Sequence, residues 1–163
     1  MMAELTVLED KLAEVLGLAM AAQAATDKVA RLTGETALSK VLERMHEEAA
    51  ETEARCTELA GELDGKKTAI LDKARETKAE ATEMMKTYLG ADAEALDGLE
   101  FLMMAEAGEV GHWLVLRKLN ERAQRGDVAR LLAWAVPIQQ RHFQTVIDGS
   151  LELAGEEDPD GPS

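Results

Sequence analysis

The segment ALSKVLERMHEEAAETEARCTELAGEL, Ala37 to Leu63, sets Leu38, Leu42, Met45, Ala49, Thr52, Cys56, Leu59 and Leu63 at alternating spacings of four and three without a slip. On a helix of 3.6 residues per turn, that alternation keeps one small or apolar side chain per turn on a single face, the seam by which bundle helices pack. The rest of the chain can follow the same rule. Apolar residues make up 46% and aromatics only 3%, so the core must come from Leu, Ala, Val and Met, all but Val good helix formers. Of three prolines, Pro159 and Pro162 fall in the last five residues, leaving the body almost free of helix breakers. The fold class predicted is all-α.

Working outward from that seam, a first helix is predicted from about Ala3 to Leu32, with the stripe Leu5, Leu8, Leu12, Val15, Ala19, Gln23, Thr26 and Ala30. The break at Thr33, Gly34, Glu35 and Thr36 joins it to the second helix. Asp64 and Gly65 turn the chain into a third helix, Lys67 to Tyr88, whose wealth of Lys and Glu predicts an outside position. Gly90 to Ala93, with Asp92 as candidate cap, opens a fourth helix running to about Gln124. Gly126 and Asp127 open a fifth, Val128 to Leu153, which holds Pro137 and is expected to kink there. Two short-looped hairpins are thus joined by a helical crossover of roughly 33 Å, long enough to make the second and fourth helices parallel. Residues 1–154 read as one helical domain, and 155–163, all glycine, proline, acid and serine, as a disordered acidic tail.

The formal net charge is −14, from 32 acidic and 18 basic residues, which repels polyphosphate backbones and anionic headgroups. Neither nucleic acid nor a membrane is an expected partner. A lone cysteine, Cys56, cannot form an internal disulfide and reads as a buried small hydrophobe. Together with an acidic first stretch lacking a basic leader, it points to the cytoplasm. The methionines lie at helical spacing and are expected to fill the core. There is no nucleophile placed with a base, no phosphate-cradling glycine loop and no Cys-x-x-Cys, so none of the enzyme classes that rest on those motifs is supported.

The informative residues are polar ones on apolar stripes. The fourth helix reads Leu99, Leu102, Glu106, Glu109, Trp113, Leu116, and the fifth Val128, Leu132, Ala135, Gln139, His142, Val146. Carboxylates facing a core cost several kcal/mol unless paired or bound to a cation. All three histidines follow a Glu or Gln by three residues, as Glu43 and His46, Glu109 and His112, Gln139 and His142, which puts each pair on one helix face. Counting from the turns brings Gln23, His46, Glu106, Glu109 and His142 to the middle of the bundle within about one turn. Gly108 and Gly111 flank Glu109, serving either to leave room beside it or to let helices approach closely.

Across residues 4 to 154 the chain resembles the ferritin-like superfamily, and in particular small bacterial ferritin-like proteins associated with stress responses. The resemblance rests on the Glu/Gln-x-x-His pairs and on the stretch Glu106, Ala107, Gly108, Glu109, Val110, Gly111, His112, Trp113. It implies a ferritin-like four-helix bundle with iron or manganese held by Glu43, His46, Glu106, Glu109 and His142, and with Gln23 and Gln139 standing where the family has carboxylates. Fewer carboxylates imply weaker or single-ion binding. Two functional readings follow: a metal-binding bundle acting on oxygen or peroxide under stress, or a non-enzymatic scaffold that keeps the fold without the metal. A homodimer through bundle helices, or another protein partner, is expected in either case.

Overall fold

A computed structural model describes residues 3–163 and contains five helices: α1 (Val7–Thr33), α2 (Ala37–Glu62), α3 (Lys67–Tyr88), α4 (Ala95–Ala123) and α5 (Gly126–Gly155). Helix α1 starts later than its apolar stripe implies because Thr6 caps it. Thr6 Oγ1 accepts from the Glu9 amide while Glu9 Oε1 accepts from the Thr6 amide, a reciprocal box that satisfies two otherwise orphaned donors. Lys66 reaches the same Glu9 at 3.1 Å and ties the α2–α3 turn to this end. Thr36 and Ser39 form the equivalent box on α2. Helix α4 begins at Ala95, with Glu94 at the cap position rather than Asp92, and its first turn is tied by Asp97 Oδ2 accepting from the Glu94 amide at 2.8 Å. Gly34 and Gly65 take φ of 68° and 70° at the two tight turns, where a β-carbon would be strained.

Contacts between helix ends fix the directions. Gly98, near the start of α4, lies against Val29 and Leu32 at the end of α1, and Gly149, near the end of α5, lies against Leu38 of α2 and Leu99 of α4. Helices α1 and α5 therefore run one way and α2 and α4 the other, with α3 carrying the chain back between the two hairpins. Helix α1 packs against α2, α3 and α4, while α5 packs against α4 and α2. Helix α3 buries only Ala69, Ile70 and Ala74 and packs on the outside of α1, with Ile70 and Ala74 reaching into the core.

Every position of the predicted α4 stripe from Leu99 to Leu116, and of the α5 stripe from Val128 to Val146, is buried. The core divides into two apolar clusters. One, around Leu12, Leu16, Leu59, Ile70, Trp113 and Leu132, fills the end near the α4–α5 turn. The other, around Val29, Leu42, Leu99, Leu102 and Val146, fills the opposite end. Helix α5 continues through Pro137 without interruption, although a proline there leaves the Ala133 carbonyl without its helical donor. Two methionines depart from the core role expected of them: Met84 is 51% and Met104 39% exposed. The tail beyond Gly155 carries a turn in which Asp158 accepts from the Asp160 and Gly161 amides. Among the described residues, no helix is long and apolar enough to cross a membrane.

Candidate metal centre

Between the two apolar clusters lies a belt of polar side chains contributed by α2, α4 and α5. Glu106, Glu109, Gln139 and His142 are all buried, Glu106 and Gln139 to 1% exposure. Each sits mid-stripe on an otherwise apolar helix face, so the packing that buries Leu102 and Trp113, or Ala135 and Val146, carries these polar groups inward with it.

The imidazole of His142 is held from one side. Its Nε2 lies 3.1 Å from Glu48 Oε1, and Glu48 is gripped by Arg141 through paired contacts of 2.8 and 2.7 Å, with Arg44 at 3.6 Å. The Arg141 hydrogen bonds, with His142 assisting, lower the Glu48 pKa to about 2. An ionised carboxylate only accepts, so His142 Nε2 carries the proton and donates. Burial lowers the His142 pKa, with Arg141 and Arg44 adding repulsion, so the ring is neutral and its Nδ1 presents a bare lone pair. That nitrogen faces Glu106 Oε2 at 4.0 Å.

Glu106 Oε2 and Gln139 Oε1 are buried oxygens without a hydrogen-bond partner. Burial pushes the Glu106 carboxyl up to about 8. Burial and then the neighbouring Glu106 push Glu109 well above the carboxylate range. Both acids are thus biased toward their protonated forms, and the cluster toward a set of uncharged donors and acceptors. Burial also raises the Cys56 thiol to about 12, with Glu109 and Glu53 adding to it, which leaves that sulfur inert as a nucleophile.

The structure separates the seven residues singled out in the sequence. Glu106 and His142 approach to 4.0 Å and Glu109 is close enough to Glu106 to feel its charge, while Gln139 is buried one turn before His142 on the same face of α5. Gln23 turns aside, its Nε2 donating to Glu53 Oε2 at 2.8 Å. His46 Nδ1 donates to the Gln23 carbonyl at 2.8 Å, which does place the two helices at one level but spends that ring nitrogen on the backbone. Glu43 is exposed and lines a surface groove with Asp27, His46 and Glu47. The physical reason is the seam itself: Leu42, Met45 and Ala49 take the inward direction on α2, so Glu43 points outward and His46 falls on the shoulder. His112 pairs with Glu14 at 3.1 Å and is 43% exposed, lining the outer cleft that Glu106 and Glu109 also border. A β-carbon at Gly108 or Gly111 would meet nothing within 4 Å, so these glycines face open space and not a packed helix.

Sequence reading missed Glu48 and Arg141. Glu48 belongs to the acidic run Glu47, Glu48, Glu51, Glu53, which reads as a solvated face. The available signal was its place three residues after Met45 and four before Thr52, both buried, which puts it on the edge of the seam.

Among the described residues, no three His, Cys, Asp or Glu side chains form a group able to hold a metal ion as they stand. The donor set is nonetheless of a chemical kind that suits one divalent cation. Two acids, an amide oxygen without a donor and a histidine with a free Nδ1 supply oxygen and nitrogen ligands, and Glu48 orients the ring from behind. It does not fit two, since Glu43, His46 and Gln23 are directed elsewhere and Glu48 is neutralised by arginine. Comparison with protein-family models, curated proteins and solved structures finds no match to this chain.

Proposed function

We propose that this chain is a ferritin-like bundle protein that binds a single divalent cation, iron or manganese, at mid-bundle through Glu106, Glu109 and His142, with Gln139 as a weak fourth donor. The observation that carries the reading is His142: its Nε2–H is fixed on Glu48, and its bare Nδ1 faces a buried Glu106 oxygen that has no partner. Metal-ligating histidines almost always donate their other ring proton to a carboxylate or carbonyl in this way. A redox-active ion at this position would supply electrons to oxygen or peroxide, in keeping with a role in oxidative stress. The chain's own contribution is to keep His142 in the Nδ1-bare tautomer and to deliver two carboxyls that release protons as the cation arrives.

A second reading, a scaffold that keeps the bundle without metal, is favoured by one observation. Glu48, a carboxylate beside His142, is already neutralised by two arginines. Metal analysis of protein purified without chelator, and after anaerobic loading with ferrous iron, separates the two. The metal reading expects close to one ion per chain, lost in both Glu106→Ala and His142→Ala. A metal-free protein after loading, with the bundle intact by circular dichroism, leaves the scaffold.

A further inference from the structure

Gly108 and Gly111 lie one turn apart in the middle of α4, and a β-carbon at either would meet nothing within 4 Å. Glycine is the poorest helix former after proline, so two of them on an outward face weaken the helix there. Met104 lies a turn before them and Val115 a turn after, on the same face, 39% and 46% exposed. The spacings of four, three and four are those of a packed helix seam, on a face that the rest of the chain leaves open. The cleft of about 210 Å³ between α1, α3 and α4 opens beside it, with Met104, Gly108 and the exposed Met84 of α3 in its lining. His112 lines the cleft too, but its ring is paired with Glu14 at 3.1 Å and Glu109 is buried. Between Met104 and Val115, α4 therefore presents outward small and apolar groups and no unpaired charge.

We propose that a second copy of the chain docks on this face, α4 against α4 in antiparallel order about a two-fold axis that passes between Gly108 and Gly111. The face is complementary to itself in that order. About the axis, Met104 lies opposite Val115 of the second copy and Gly108 opposite Gly111, which lets the two backbones approach at the centre. Farther out, Asp97 comes level with Arg122, and Glu100 with Lys118 to within one residue, so acid meets base at both ends. All four are exposed. A parallel pair would set each of these charges against its own copy, which costs more in a chain of net charge −14. Spacing by threes and fours suits a shallow crossing of roughly 20°, which keeps the helices in contact along the roughly 37 Å from Asp97 to Arg122. None of these residues is a donor in the metal reading, so the two stand or fall separately.

Sedimentation equilibrium of the full chain tests this. One helix face makes a small interface, so a dimer with a dissociation constant on the order of 10 µM is expected. Gly108→Lys with Gly111→Lys puts bulk and like charge at the axis and weakens the dimer by roughly a hundredfold or more, although it lowers the overall negative charge. The open space at both β-carbons lets this variant fold, which circular dichroism checks. Lys118→Glu weakens the dimer by roughly tenfold, and adding Glu100→Lys restores it, a pair that carries the test should the glycine variant fail to fold. Disulfide trapping reads the register. Met104→Cys with Val115→Cys gives a covalent dimer on oxidation and neither alone does, since the two copies of residue 104 stand roughly 16 Å apart, beyond the reach of a disulfide. Cys56 is buried and takes no part. A chain still monomeric at roughly a hundred times the expected constant, which leaves the face to another partner, overturns the proposal. So does a dimer that survives the double Lys variant, one that does not recover when both charges are reversed, or cross-linking through Met104→Cys alone.

Discussion

Glu48 satisfies three neighbours at once: it accepts from both terminal nitrogens of Arg141 and from the buried His142 ring, and it lies 3.6 Å from Arg44. Its removal is unequal in its effects. Arg141 and Arg44 are 42% and 68% exposed and regain water, whereas His142, at 2%, cannot. Glu48→Ala is therefore expected to cost about 1–3 kcal/mol, mainly from the stranded Nε2–H, while Glu48→Gln retains an acceptor and costs less. Denaturant unfolding of the two variants measures the difference. Loss of Glu48 also removes what partly sustains the protonated ring, so the His142 titration, followed by NMR, moves further down in Glu48→Ala. A ring that titrates unchanged would mean that Glu48 does not hold it. This pair also marks the limit of sequence reading. Gln139 and His142 were legible because one helix periodicity carries them inward. The partner of His142 lies 94 positions earlier, on the shoulder of another helix, and helical periodicity holds no record of which shoulders meet.

At the scale of helices, the seams of α2, α4 and α5 were legible because strict heptad-like spacing leaves each helix one direction to face. Helix α3 was legible as an outer helix by composition, but its seat was not. A glycine decides that. Gly17 lies on the buried face of α1, where a β-carbon would collide with the Ala74 carbonyl oxygen and stand 2.7 Å from Thr77 Cβ on α3. Backbone cannot rotate away as a flexible side chain can, so Gly17→Ala must displace α3, and is expected to destabilise by about 1–3 kcal/mol despite alanine's better helix propensity. Gly111→Ala, on the open face of α4, should instead stabilise by about 0.5–1 kcal/mol. Thermal unfolding of the two variants reads opposite signs from one substitution. Two shifts of the same sign would mean that α3 does not sit tightly on α1. Nothing in the spacing of Gly17 distinguishes it from Gly111, because the contact that matters is a carbonyl oxygen on another helix.

For the whole molecule, the buried ionisable groups predict a stability curve with a maximum in mildly acid solution. Glu106 and Glu109 have folded pKa values raised above the unfolded range, about 8 for Glu106, so the folded state binds more protons than the unfolded chain. Their contribution is fully present below the unfolded carboxylate pKa of about 4.3 and is lost as pH rises through the folded value. Glu48 and His142 act in the opposite sense, their folded pKa values being lowered. What they contribute is present above their unfolded values, about 4.3 and 6.5, and falls away as pH drops through the folded ones. Between these slopes the maximum lies near the unfolded carboxylate value, at about pH 4–5, because above it two raised acids outweigh the one histidine. Above it the overall charge of −14 at pH 7 adds self-repulsion of the same sign as the loss at Glu106. Urea unfolding between pH 5 and 9 should therefore show a decline of several kcal/mol, of which Glu106→Gln with Glu109→Gln removes the larger part, leaving a flatter curve. A divalent cation held by the two acids replaces their protons, so at saturating ferrous or manganous ion the alkaline limb should level off in the native protein and not in the double Gln variant. A limb that falls equally with and without the ion would show that the acids ionise without holding it.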